Sequence, residues 1–336
     1  MWLPQWVSDE NGANIEAIRS NDGSTPLDIA AYLGHADVAR LLIEKGTNIE
    51  ATLRDEESTL LDSAAYRGHI DVVRLLLEKG ANAEATRSDG STALYSASWR
   101  GHVGVVRLLL QKSADIETTK SDDGSTPLFT AAYFGHANVV RLLLEKGGNI
   151  EVTRSDNGAT PLDAAALNGH IDVVRLLLKR GANIEATRSD DGSTLLYVAA
   201  YNGHTEIVRL LLGKCANIGA REAMYQQRCT PHPGEGMLPY YRRVVWLQKG
   251  TNIHATTKQA ETALHVVFHA STTYSHRKDS KQFITMIRVL LAHGANILQK
   301  DDSGRTSLDL AEQGGHFKVK QLFLRHMKEL NLKLRR

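Results

Sequence analysis

Apolar and polar positions follow one fixed order along most of the chain, shown by residues 123–150, DGSTPLFTAAYFGHANVVRLLLEKGGNI. Asp123-Gly124 reads as a turn. Thr126 suits a helix N-cap, and Pro127 suits the first helical position, where no amide hydrogen is required. PLFTAAYF predicts a short helix that ends at Gly135, a residue tolerant of the left-handed conformation of a helix stop. A second helix is predicted over Asn138–Lys146. Its Val139, Val140, Leu142, Leu143 and Leu144 form a stripe too wide for a helix with one wet side. Gly147 stops it, and GNIEVTRSDNG returns as an extended loop to the next Thr-Pro.

The same order recurs. The threonine falls at Thr25, Thr59, Thr92, Thr126, Thr160 and Thr194. A Gly-His pair falls at Gly34-His35, Gly68-His69, Gly101-His102, Gly135-His136, Gly169-His170 and Gly203-His204. Both series step by 34, 33, 34, 34 and 34 residues. A fixed period in this range signals a linear array of like units. One unit cannot bury its apolar surface alone, so the copies must stack, and Ala131 and Ala132 leave room for close helix contact. The pattern predicts an all-α solenoid of stacked helix-turn-helix repeats with hairpin-like loops.

These phrases resemble the ankyrin repeat: TPL (Thr25-Pro26-Leu27, Thr126-Pro127-Leu128, Thr160-Pro161-Leu162), AAxxGH (Ala131 to His136), VVRLLL (Val139 to Leu144) and GANI (Gly181 to Ile184). The resemblance covers about residues 11–221 cleanly and 250–326 more weakly. It departs in one place. The family's TPLH carries Asp28, Asp62, Asp163 and Asp309, or Tyr95, Phe129 and Tyr197, in the histidine position, and only His265 keeps it. That puts one local hydrogen bond in question.

The expected organisation is a partial repeat or cap at 1–20, six regular repeats over 21–221, a degenerate Pro-containing repeat at 222–256, a repeat at 257–300 and a capping repeat with a basic tail at 301–336. Trp2 and Trp6 are candidates to cover the exposed core at the start. Pro231, Pro233 and Pro239 interrupt any helix across the degenerate segment. In the repeat at 257–300, Thr262 stands 26 residues before Arg288, where Thr25 stands 15 before Arg40. An insertion of 11 residues within about 271–282 therefore separates its two helices. In the last repeat, Lys320 occupies the place of buried Val140, as a polar outer face would require. The mid-unit start also fits a fragment of a longer chain.

Composition changes this picture little. Forty basic and 38 acidic side chains give a formal charge of +2, too balanced to suggest a polyanion partner, so no nucleic acid is expected. Two cysteines, Cys215 and Cys229, provide no disulfide framework and fit a reducing compartment, cytoplasmic first and nuclear as the alternative. No secretory signal and no membrane-length apolar run is visible, and a monomer is expected.

Seven of the 14 histidines are the Gly-His residues, which repeat along the stack and read as structural rather than as metal ligands. Arg40, Arg74, Arg107, Arg141, Arg175 and Arg209 form a row on the second helices. Asp37, Asp71, Asp172 and Glu206 stand three residues before their arginines and neutralise them. The loop tips similarly suggest the pairs Glu84–Arg87, Glu117–Lys120, Glu151–Arg154 and Glu185–Arg188. No phosphate-binding loop, HExxH or GxSxG phrase is present, and neither a cofactor nor a metal is expected.

One stripe is not explained by the core. The place after the Ala-Ala pair holds Tyr32, Tyr66, Trp99, Tyr133, Leu167 and Tyr201, and the next holds Leu33, Arg67, Arg100, Phe134, Asn168 and Asn202. Tyr, Trp and Arg dominate binding hot spots because each couples large area to a polar handle. The resemblance implies that these places line a concave face. The chain is therefore expected to be a protein-interaction scaffold whose partner meets Tyr32, Tyr66, Arg67, Trp99, Arg100, Tyr133, Phe134, Tyr201 and Asn202. The loop tips around Arg87, Asp89, Lys120, Asp123, Arg154 and Asp156 are expected to contribute. The alternative is an enzyme or small-molecule binder with a site in 222–286, using His232, Glu235, Tyr240, Tyr241, His265 or His269.

Overall fold

A computed structural model describes residues 14–20, 23–50, 58–213, 252–273 and 281–334. They fall into two compact units, Met1–Ser155 and Asp156–Arg336. The described residues form helices joined by turns and extended loops, with isolated β-bridges and no sheet.

The first unit holds four helix pairs: α1 (Pro26–Leu33) with α2 (Ala36–Glu44), α3 (Leu60–Arg67) with α4 (Ile70–Glu78), α5 (Ala93–Arg100) with α6 (Val103–Gln111), and α7 (Pro127–Tyr133) with α8 (Ala137–Glu145). Each first helix starts where the threonine predicts. The Oγ1 atoms of Thr25, Thr59, Thr92 and Thr126 accept the backbone N–H three residues on. First helices pack on first helices, α1 on α3, α3 on α5 and α5 on α7, and second helices pack in a parallel series. Ala31, Ala64, Ala65, Ala97, Ala131 and Ala132 are fully buried between them.

The value of a neighbour can be read from one comparison. Val38 and Leu41 of α2 face no preceding repeat among the described residues and are 49% and 58% exposed. The equivalent Val72 and Leu75 of α4 are 0% and 2% exposed. Burying one such side chain stabilises by about 1.5–3 kcal/mol, so stacking rather than helix propensity holds each unit together.

The second unit begins with α9 (Pro161–Leu167), α10 (Ile171–Lys179) and α11 (Leu195–Tyr201), followed by a helix over 205–213. Beyond the undescribed stretch 214–251, helices Ala263–Thr273, Lys281–Ala292, Ser307–Gln313 and Phe317–Leu334 follow. In the repeat expected to carry an insertion within about 271–282, the first helix runs to Thr273 and the second starts at Lys281, so the ends of that stretch are helical, and 274–280 lies outside the described residues. The last helix, of 18 residues, also continues through what read as a basic tail. On it Val319 and Phe323 are buried, while Lys320 is half-exposed and pairs with Glu312 at 2.8 Å. Trp2, Trp6 and the proline-interrupted core of the degenerate segment lie outside the described residues.

The questioned hydrogen bond is restored by the substitute itself. Asp163 Oδ2 accepts from the Thr160 amide at 2.9 Å and from its hydroxyl at 2.8 Å, while Thr160 Oγ1 accepts from the Asp163 amide at 3.2 Å. Asp28 with Thr25 and Asp309 with Thr306 form the same capping box. His265 does the equivalent with Nδ1, which accepts from the Thr262 amide at 3.2 Å and its hydroxyl at 2.8 Å. Asp62 is used differently: it accepts from the Ser96 hydroxyl of the next repeat and faces Arg87 at 3.7 Å.

Candidate functional site

The first helices of unit one bring a ladder of rings and guanidinium groups to their C-terminal ends. The Arg67 guanidinium lies over the Tyr32 ring, 3.9 Å from its centroid, and Arg100 lies over Tyr66 at 5.0 Å. In the next repeat Phe134 takes the equivalent place, and its ring meets Trp99 at 5.8 Å. The rule is constant: the residue after the ring in one repeat covers the ring of the repeat before. Tyr66 and Trp99 are also in contact at 5.4 Å, and Tyr133 meets Phe134 at 5.0 Å. Tyr32 and Phe134 remain 44% and 43% exposed, Arg67 and Arg100 are exposed, and Tyr66, Trp99 and Tyr133 are half-buried.

The Gly-His histidines hold this ladder, a role that reading them only as structural did not reveal. Nε2 of His69 donates to the Tyr32 carbonyl at 2.9 Å, His102 to that of Tyr66 at 3.0 Å, and His136 to that of Trp99 at 2.8 Å. Each therefore pins the backbone of the preceding ring residue. The signal was available in the one-to-one pairing of ring and histidine, 36 or 37 residues apart. Burial, then the Arg67 charge, lowers the pKa of His69; burial, opposed by the Tyr66 carbonyl and aided by Arg100, lowers that of His102.

A cavity of about 680 Å³ opens beside the ladder. Tyr32, Tyr66, Trp99, Arg67 and the loop-tip Arg87 line it, together with Arg19 and the buried Asp28 and Asp62, three residues that the sequence reading did not assign to a site.

The loop-tip charges are engaged in linking repeats. Arg154 pairs with Asp123 at 3.0 Å, and Lys120 lies 3.0 Å from Asp122 and 3.7 Å from Asp89. The backbone carbonyls of Asp89 and Asp123 accept the amides of Ser121 and Ser155 in the following tips. Burial raises the Asp123 carboxyl, but the Ser125 hydroxyl and amide and the Arg154 charge outweigh it and hold it below the usual range. The glutamates expected to pair within their own tips also reach onward: Glu84 accepts from the Asp115 amide at 2.9 Å and Glu117 from the Asn149 amide at 2.7 Å. An amide of a stacked neighbour is a fixed donor, whereas a long cation within the same tip must be ordered to pair.

In the second unit the stripe has another character. Tyr201 stacks on Tyr197 of its own helix at 6.4 Å, and Asn202 Nδ2 donates to the Val198 carbonyl one turn back. Asp156 is exposed at its loop tip. Of the alternative small-molecule set, His232, Glu235, Tyr240, Tyr241 and the side chain of His269 lie outside the described residues. His265 is corrected: it is fully buried, and its ring nitrogens are engaged by Thr262 and the Arg305 carbonyl, so its work is to cap a helix. Among the described residues no three His, Cys, Asp or Glu side chains come together to hold a metal, and no helix is long and apolar enough to cross a membrane.

Family models match the chain in three groups. Ankyrin repeats in many copies match residues 27–77 and 61–110, ankyrin repeats in three copies match 115–188, and a single ankyrin repeat matches 191–223. A comparison with curated proteins finds no match. With the threonine caps, the paired helices and the Gly-His ties all recurring at the same period, the chain belongs to the ankyrin-repeat family.

Proposed function

We propose that this protein is an interaction scaffold whose partner docks on the ring and guanidinium ladder of Tyr32, Tyr66, Arg67, Trp99, Arg100, Tyr133 and Phe134. Ankyrin repeats are generally protein–protein interaction modules, which sets the class. The observation that supports this face is the partial exposure of a row of large rings whose backbone is pinned by His69, His102 and His136. Such a row is ordered before a partner arrives, so little conformational entropy opposes docking. The loop tips around Arg87, Asp89, Lys120, Asp123 and Arg154 hold successive repeats in register, and Asp156, Tyr201 and Asn202 stand as secondary contacts.

Affinity capture from the native cell with the wild-type chain and with Trp99→Ala tests the reading. The substitution is expected to weaken the captured partner by about 2 kcal/mol or more, roughly thirtyfold, with an unchanged folding transition. Equal recovery by both forms refutes this face as the docking site.

A further inference from the structure

We propose that the segment docking on this face is an extended, acidic stretch of polypeptide whose carboxylates pair with Arg67 and Arg100. The inference rests on the docking reading above and adds the chemistry of the partner. Aromatic faces beside carboxylates attract cations, but here the protein's own guanidinium groups already cover the Tyr32 and Tyr66 rings. Stacking fixes the plane of each guanidinium and leaves its N–H edges free to donate. Arg67 and Arg100 are exposed, and among the described residues neither is paired with a carboxylate. Among the described residues the cationic side of the ladder is therefore stacked on rings, unpaired with any carboxylate and exposed.

Two buried acids lie nearby: Asp28 Oδ2 is held in the capping box with Thr25 while its Oδ1 accepts no hydrogen bond among the described residues, and Asp62 faces Arg87 and accepts from Ser96. Asp28 and Asp62 line the cavity with Arg67, and their fixed negative charge disfavours a phosphate dianion more than a single carboxylate there. A guanidinium edge also matches a carboxylate in a two-point hydrogen bond.

Geometry adds a spacing. Arg67 ends α3 and Arg100 ends α5, and these two helices pack directly. Packed helix axes lie about 8–10 Å apart. A polyproline II chain, with three residues per turn and about 3.1 Å rise per residue, covers that distance in one turn and returns residues i and i+3 to the same side. The acidic residues should thus recur at i and i+3, with an apolar or aromatic residue beyond them for Trp99 and Phe134.

The test is selection of a random-sequence peptide display library against the full chain, followed by fluorescence anisotropy of synthetic versions of the selected peptides. Asp or Glu at three-residue spacing is expected to be enriched. The Arg67→Gln/Arg100→Gln double variant should bind the selected peptides at least about tenfold more weakly. The Arg67→Glu/Arg100→Glu variant should select Lys- and Arg-bearing peptides instead. Each variant is checked for an unchanged thermal transition. Selection of basic or uncharged peptides, binding indifferent to the double substitution, failure to select any peptide, or tighter binding of phosphoserine peptides or single-stranded RNA would each overturn the proposal. Uncharged peptides lost on Trp99→Ala would leave the docking face standing and remove only its charge preference. Peptides indifferent to both sets of changes would remove the face as well.

Discussion

His136 lies directly against Gly101: a Cβ built on Gly101 would stand 2.5 Å from Nδ1 of the histidine ring. The glycine has a φ of 77°, in the left-handed region, and the ring's other nitrogen reaches the Trp99 carbonyl. Closing the helix, seating the histidine and pinning the ladder are thus one arrangement. Gly101→Ala is expected to destabilise by about 2 kcal/mol or more, through backbone strain and displacement of the ring. Chemical denaturation measures it, and a change within about 0.5 kcal/mol would mean the ring can move aside freely.

Ser113 offers the opposite case. It occupies the second-helix stop taken by Gly46, Gly80, Gly147 and Gly181 in other repeats, with a φ of 65° and an exposed side chain. Ser113→Gly is expected to stabilise by about 0.5–1 kcal/mol, because relief of left-handed strain exceeds the entropy lost by glycine. A raised urea midpoint at unchanged slope is the predicted readout.

The capping boxes predict a graded response. Thr160→Ala removes both the acceptor for the Asp163 amide and a donor to the buried Asp163 carboxylate. A loss of about 1–2 kcal/mol is expected, at the upper end for a cap because Asp163 is buried. Thr160→Ser keeps both bonds and should recover most of it.

Much of this was legible in the sequence, and what was not has a common cause. The threonine caps, glycine stops and wide apolar stripes were readable because they act within one helix or recur by period. The reach of Glu84 was not legible because a sequence window shows Arg87 near it, whereas Glu84 meets the amide of Asp115, 31 residues away. Local neighbours compete with neighbours one repeat along, and only stacking decides between them. Asp28 and Asp163 were read as lost histidines, although Thr25 to Asp28 and Thr160 to Asp163 carry the three-residue spacing of a capping box, a local signal that the family comparison masked. Extension of the helices to Thr273 and from Lys281 was hidden behind an insertion with no repeat partner to align it. The ring stripe was visible, but its arginine cover became visible only once α1, α3 and α5 were set side by side.

Acid should loosen the first unit. The folded-state pKa values of His69 and His102 lie below the ordinary 6.5, His69 through burial and then Arg67, His102 through burial aided by Arg100. Between those lowered values and 6.5 the unfolded chain binds more protons than the folded one. Their contribution is complete above about pH 6.5, and it declines as the pH falls through the window to the folded values. Urea midpoints at pH 7.5 and 5.5 measure the loss, and His69→Gln/His102→Gln should reduce the difference between the two. An equal difference in wild type and variant would place the acid sensitivity elsewhere.

The central claim is that a partner meets the ends of the first helices rather than the second. A photo-crosslinking residue placed at Phe134, and separately at Arg141 of α8, tests it directly when each chain is returned to its native cell. The account predicts a covalent adduct with one partner from position 134 and none from position 141. Adducts from 141 with none from 134 would contradict it.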